Sequence, residues 1–238
     1  LFIGWLSILI TNFFGFSVVA VALLFFLFPA LAFSLSQNKD RGAITIPLTI
    51  PPYLPLGILL PTSIYLLISL SNIFRADLLY NQSKFQPNIE LLQKAVILQP
   101  KQPLFLAKLA EQEAKAAATI FIQLSSLPEE AKNAQKQLEQ QSQEHVVQAV
   151  DMNQYNINLL KSKARVEIYL SNINQWYSQQ ALNTLLQASL LAPTDSKLLF
   201  NIGIIYSNLN KPEQATESFK KAVELKPNYQ QAISKLQP

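Results

Sequence analysis

Apolar residues fill the first third of the chain almost without interruption. Residues 1 to 38 hold no charge, and up to Phe74 the only charged residues are Lys39, Asp40 and Arg41. An apolar run longer than the roughly 20 residues that cross a bilayer reads as membrane sequence. The pattern predicts a partial span over 1–11, a turn or broken helix at TNFFGFS, a span over about 18–36, a loop over 37–55 and a last span over about 56–74. Pro29 would kink the second of these, whereas Pro47, Pro51, Pro52 and Pro55 make the loop extended. Pro61 falls near the first turns of the last span, and Arg75 at its end can reach the headgroups. From residue 75 on, polar residues return and apolar ones keep to helical stripes, so the expected fold class is all-α.

Between residues 161 and 230 the chain repeats itself. Ala181 and Ala215, Ala188 and Ala222, Leu191 and Leu225, and Pro193 and Pro227 each lie 34 residues apart. The last unit carries Leu199, Ile202, Gly203, Tyr206, Ala215, Phe219, Ala222 and Pro227, a pattern that suits two antiparallel helices. Gly203 and Ala215 let the helices approach where they cross, Leu199, Tyr206 and Phe219 fill the flanks, and Ala222 leaves room for the next helix. Asp195 can cap the first helix, Asn210 with Lys211 and Pro212 closes it and opens the second, and Pro227 stops that one. A helix–turn–helix unit with this spacing resembles the tetratricopeptide (TPR) repeat, which implies membrane helices followed by a TPR-type α-solenoid over 75–238. The clearest units cover 161–194 and 195–230. The earlier one keeps Ala181, Ala188 and Pro193 but has Tyr169 where the small residue of its first helix belongs.

Upstream, Ala95 and Pro100 repeat the five-residue interval of Ala188 to Pro193. Residues 75–102 therefore read as a degenerate first unit whose leading helix continues out of the membrane, with Ala76 in the small place and Asn88 where Ala is expected. Two helices follow, over 103–127 and 128–150, the second with a stripe of Ala131, Ala134, Leu138, Val146, Val147 and Val150 on an otherwise solvated, Gln-rich surface. After Tyr229, QQAISKL reads as a short capping helix.

Charge and special residues exclude more than they assign. The net charge of +4 is scattered, with no basic run, which argues against a nucleic-acid partner. Without cysteine there are no disulfides or thiolate metal sites. His145, the single histidine, reads as a solvated residue of the helix around QQSQEHVVQ, so no metal, cofactor or catalytic group is expected. The single methionine is Met152, so Leu1 is not an ordinary translation start, and the chain is expected to be the C-terminal end of something longer.

The succession NFFGFSVVAVALLFFLFPALAF, a proline-rich loop, a last span, RADLLY and helical repeats resembles the C-terminal end of bacterial O-antigen ligase or O-antigen polymerase-like membrane proteins with a TPR tail. The resemblance implies a multi-pass protein of the bacterial inner membrane that transfers glycan from a polyprenyl-linked carrier. Its working Arg and His residues would lie upstream, so no residue here inherits a catalytic role. In that case the chain is the non-catalytic end of a surface-glycan assembly protein. The alternative is a membrane-anchored TPR adaptor without enzymatic activity. Basic residues flank the first loop and the last span equally, so charge does not orient the protein, while the span order of the resembled proteins places the TPR tail outside.

Besides membrane lipids, the expected partner is a protein held on the concave face made by the leading helices. By helical position Lys163, Val166, Leu170, Lys197, Phe200, Ile204 and Asn208 face that side, with Asn201 nearby, and the lysines suit an anionic peptide end. The same positions also read as core, for Phe200 and Ile204, and as solvated lysines.

Overall fold

The computed structural model describes residues 53–86, 88–123 and 128–237. The chain divides into two compact units, Leu1–Ile58 and Leu59–Pro238, and the second is described below. The spans expected over 1–11 and 18–36 lie outside the described residues, as does the loop as far as residue 52.

All described elements are helices. Helix α1 (Tyr53–Phe85) starts three residues earlier than the expected span. Pro55 thus falls in its first turn, where the missing N–H is one the helix would not have used. From Leu60 to Phe74 its large apolar side chains are exposed on every side, Leu60, Tyr65, Leu67 and Phe74 each by more than half. Among the described residues, no helix is long and apolar enough to cross a membrane. The same helix then runs on past Arg75, and there it begins to pack. Ala76 is fully buried with Ala95 of α2 (Ile89–Leu98) and Phe105 of α3 (Pro103–Ile122), and Tyr80 stacks on Phe105 at 5.0 Å between ring centroids. Asn88 is not a packing residue. It caps α2, its side-chain oxygen accepting the Glu90 N–H.

Helices α3 and α4 (Glu129–Met152) form a hairpin. Ala107, Ala110, Ala114 and Ala117 are buried on α3, and small side chains in such a row let backbones approach closely. On α4 the buried stripe is Gln135, Ser142, Val146, Ala149 and Val150, while Ala134 and Val147 are exposed. The stripe is displaced from the expected one because polar residues occupy part of it. Gln135 donates to the Glu139 carboxylate, and Ser142 donates to the Glu139 carbonyl, which satisfies them inside the hairpin. Nor is His145 simply solvated. Its Nδ1 lies 2.7 Å from Oε2 of Glu113, a carboxylate with no exposure, and that hydrogen bond raises the pKa of the imidazole.

Two helical pairs follow, α5 (Ile157–Leu170) with α6 (Trp176–Leu191) and α7 (Ser196–Asn208) with α8 (Pro212–Leu225), and α9 (Gln230–Leu236) covers the last. Asn156 and Asp195 cap the leading helices through their side-chain oxygens. Asn210 takes the left-handed conformation, φ 55°, that ends α7, and Pro212 opens α8 at a position needing no N–H. Ala181, Ala188, Ala215 and Ala222 are buried, as are Ile202, Gly203 and Phe219. Leu199 and Tyr206 are half-buried against the main core, and Pro193 and Pro227 are exposed just past helix ends.

The period is not uniform. Leu191 and Leu225 end their helices 34 residues apart, yet the caps Asn156 and Asp195 stand 39 apart. Gly203 therefore corresponds to Ala164, which is buried opposite Ala181 and Leu185, and not to Tyr169. Tyr169 packs on the other side with Leu138 and Tyr177. The connection 171–175, two residues longer than 209–211, and the longer helices α5 and α6 together account for the difference.

Asp195 combines a cap with an ion pair to Lys161 of the preceding leading helix. Asp195→Ala is expected to lower stability by about 1–2 kcal/mol, since cap and cross-repeat contact go together. A melt followed by circular dichroism that matches wild type would show the cap to be idle.

Candidate functional site

Leading helices α3 and α5 pack side by side, and residues of α5 and α7, with Leu185 of α6, line a cavity of about 310 Å³. Its floor is Ala164, Ile168, Leu185 and Leu198, and its rim is Lys161, Arg165, Lys197 and Asn201. An apolar floor under polar, mostly cationic side chains can hold an extended segment whose carboxylate meets the rim.

The rim is ordered by acids from neighbouring helices. Glu111 of α3, 5% exposed, joins two cations: Arg165 Nη1 at 3.0 Å and Lys108 Nζ at 2.9 Å. Asp195 accepts from Lys161 and from the backbone N–H groups of Lys197 and Leu198. Burial works to raise the Asp195 carboxyl, but Lys161 and those N–H groups outweigh it and hold the pKa below the ordinary value. The Lys197 ammonium has no carboxylate partner among the described residues. Lys108, Lys161 and Arg165 are thus paired with Glu111 and Asp195, and Lys197 adds a further cation to the rim.

Of the residues expected on this face, Lys197 and Asn201 line the cavity. Lys163 does not, its Nζ lying 3.9 Å from Glu167 instead. Val166 and Leu170 are buried beneath α3 and α4 with Ala114 and Val146. Phe200 sits between Phe219 and Tyr229, at 5.6 and 5.2 Å, so it is covered by α8 and α9. Ile204 is half-buried and Asn208 exposed. Lys161, Arg165 and Ile168 are hidden from a sequence reading for one reason. Counting back 34 residues from Phe200 and Ile204 gives Val166 and Leu170, whereas the 39-residue offset of α5 gives Lys161 and Arg165.

No group of three or more His, Asp or Glu residues placed to hold a metal occurs among the described residues. The helices α7 and α8 and the turn to Tyr229 decide the type of unit. Residues 196–229 match the tetratricopeptide repeat. No curated protein matches the chain. Solved structures to which it is similar include a thermophilic TPR protein of Thermus thermophilus, at 18% identity over 71% of this chain and 79% of that one, TM-score 0.48. PilF of Pseudomonas aeruginosa is similar at 20% identity over 71% and 66%, TM-score 0.47. YrrB, a TPR protein with an unusual peptide-binding site, is similar at 16% over 68% and 89%, TM-score 0.36.

Proposed function

We propose that this chain is a TPR-type interaction scaffold that holds an acidic peptide segment, carboxylate first, in the groove between α5 and α7. The observation that carries this is the Lys161–Arg165–Lys197–Asn201 rim over an apolar floor, built on a matched TPR unit. The geometry favours a terminal carboxylate, because Lys197 is free to receive it while Arg165 and Lys161 are fixed by their own acids.

The test is a set of acidic peptides with free or amidated C-termini, titrated against the chain by fluorescence anisotropy. Replacing Lys197 by Gln is expected to weaken free-carboxylate peptides by about tenfold while the melt stays near wild type. Equal binding of amidated and free peptides would sink the carboxylate reading.

We also propose that the first half of α1 seats in a bilayer, alone or with segments before residue 53, so that the scaffold works at a membrane. A stretch whose large apolar side chains point to all sides is enclosed either by protein or by lipid, and from Leu60 to Phe74 those side chains are exposed. This reading corresponds to the membrane-anchored adaptor. The resemblance to O-antigen ligases rests on stretches largely outside the described residues, and the comparisons add nothing to it.

A further inference from the structure

A second cleft, of about 550 Å³, opens where α1 leaves its exposed apolar stretch. Arg75, Leu78 and Leu79 of α1 line one wall, and Lys94, Ile97 and Leu98 of α2 line the other. Two features set it apart from an ordinary helix–helix crevice. Its apolar side chains are open to the outside, Ile97 by 77% and Leu78 by 46%. Its cations are available as well: Arg75 has no carboxylate partner among the described residues, and Lys94 has only the exposed Glu90 of its own helix.

The height of the cleft says what would fill it. Arg75 follows Phe74 directly, and at about 1.5 Å per residue the wall from Arg75 to Leu79 lies within roughly 10 Å of the last apolar residue. If Leu60 to Phe74 are in lipid, that is the layer of headgroups and upper acyl carbons, which is roughly 5–8 Å thick. An anion there meets Arg75 and Lys94, and acyl carbons meet Leu78 and Ile97. We infer that this cleft binds one anionic phospholipid, its phosphate between Arg75 and Lys94 and the start of an acyl chain along Leu78 and Ile97. The inference rests on the membrane reading of α1.

Two experiments separate the two ideas. Flotation of the full chain with neutral phosphatidylcholine vesicles tests the membrane reading, which falls if the chain stays at the bottom. Titration of the full chain in detergent with dioctanoyl-phosphatidylglycerol or dioctanoyl-phosphatidylcholine, read by native mass spectrometry, tests the cleft whatever flotation gives. A cation near an anionic surface contributes about fivefold, so wild type is expected to prefer the glycerol lipid by roughly 25-fold. Replacing Arg75 and Lys94 by Gln should reduce that preference to about twofold or less. Replacing Lys84 and Lys101 by Gln removes the same charge outside the cleft and should leave most of it. Equal losses in the two double variants, or no preference in wild type, would overturn the site in favour of diffuse attraction or a different occupant.

Discussion

Gly203→Leu is expected to unfold the last helical pair. A Cβ added at Gly203 would stand 2.5 Å from Cε1 of Phe219, a ring that is 3% exposed and already flanked by Phe200. The ring has little room to yield, and a leucine adds further carbons beyond that Cβ. Overpacking of this kind costs about 3 kcal/mol or more, a large fraction of what a helical pair can supply. Because each pair leans on its neighbours, α7 to α9 should lose amide protection while α1 to α4 keep it. Hydrogen exchange resolves the two zones. Uniform loss across the chain, or none, would contradict the packing described for Gly203.

Glu167→Gln is expected to stabilise the protein above neutral pH. The Glu167 carboxyl is 3% exposed, and its Oε2 has no hydrogen-bond partner. Burial raises its pKa from 4.5 to about 7, against the opposing pull of the Thr184 hydroxyl and the Lys163 ammonium. A folded-state pKa above the unfolded one means the folded form holds the proton more tightly. Its contribution is therefore complete below pH 4.5 and lost as pH rises through about 7. That loss amounts to about 3 kcal/mol at most. His145, whose pKa is also raised, drives wild-type stability in the same direction over an overlapping range, but it is common to both proteins and drops out of the comparison. Urea midpoints at pH 4.5 and pH 8 should converge at the lower value and separate at the upper, the variant being more stable. Parallel curves would mean that the carboxylate is solvated after all.

Much of this architecture is legible along the chain because its signals are local. Asn210, Lys211 and Pro212 make a turn from three adjacent residues, and Asp195 caps α7 with its own backbone neighbours. The repeat at Ala181, Ala188, Ala215 and Ala222 is visible for the same reason: crossing helices need small residues at fixed places within each helix. What depends on pairing between distant segments is not legible. Glu113 meets His145 across 32 residues because α3 and α4 fold back on one another, and nothing near either residue announces the other. The groove is obscured by α5. Extra residues in α5, in the connection 171–175 and at the start of α6 lengthen the unit without disturbing the end of α6, so the second-helix alanines keep their spacing while the first helix slips by a turn and more. One slip of that size carries Lys161 and Arg165 into the groove and sends Val166 and Leu170 to the core.

The unbroken course of α1 from Leu60 to Phe85 has a mechanical meaning. A flexible tether would let the groove between α5 and α7 wander through a large volume and meet the proposed peptide at any angle, with an effective concentration set by tether length. A helix that begins in the apolar stretch and ends in the packed core transmits orientation as well as position. Whatever grips residues 60 to 74 therefore sets the bearing of α5 and α7, like a hand on the stem of a compass. For the peptide proposed above, approach from one side would then be favoured before any side chain touches it.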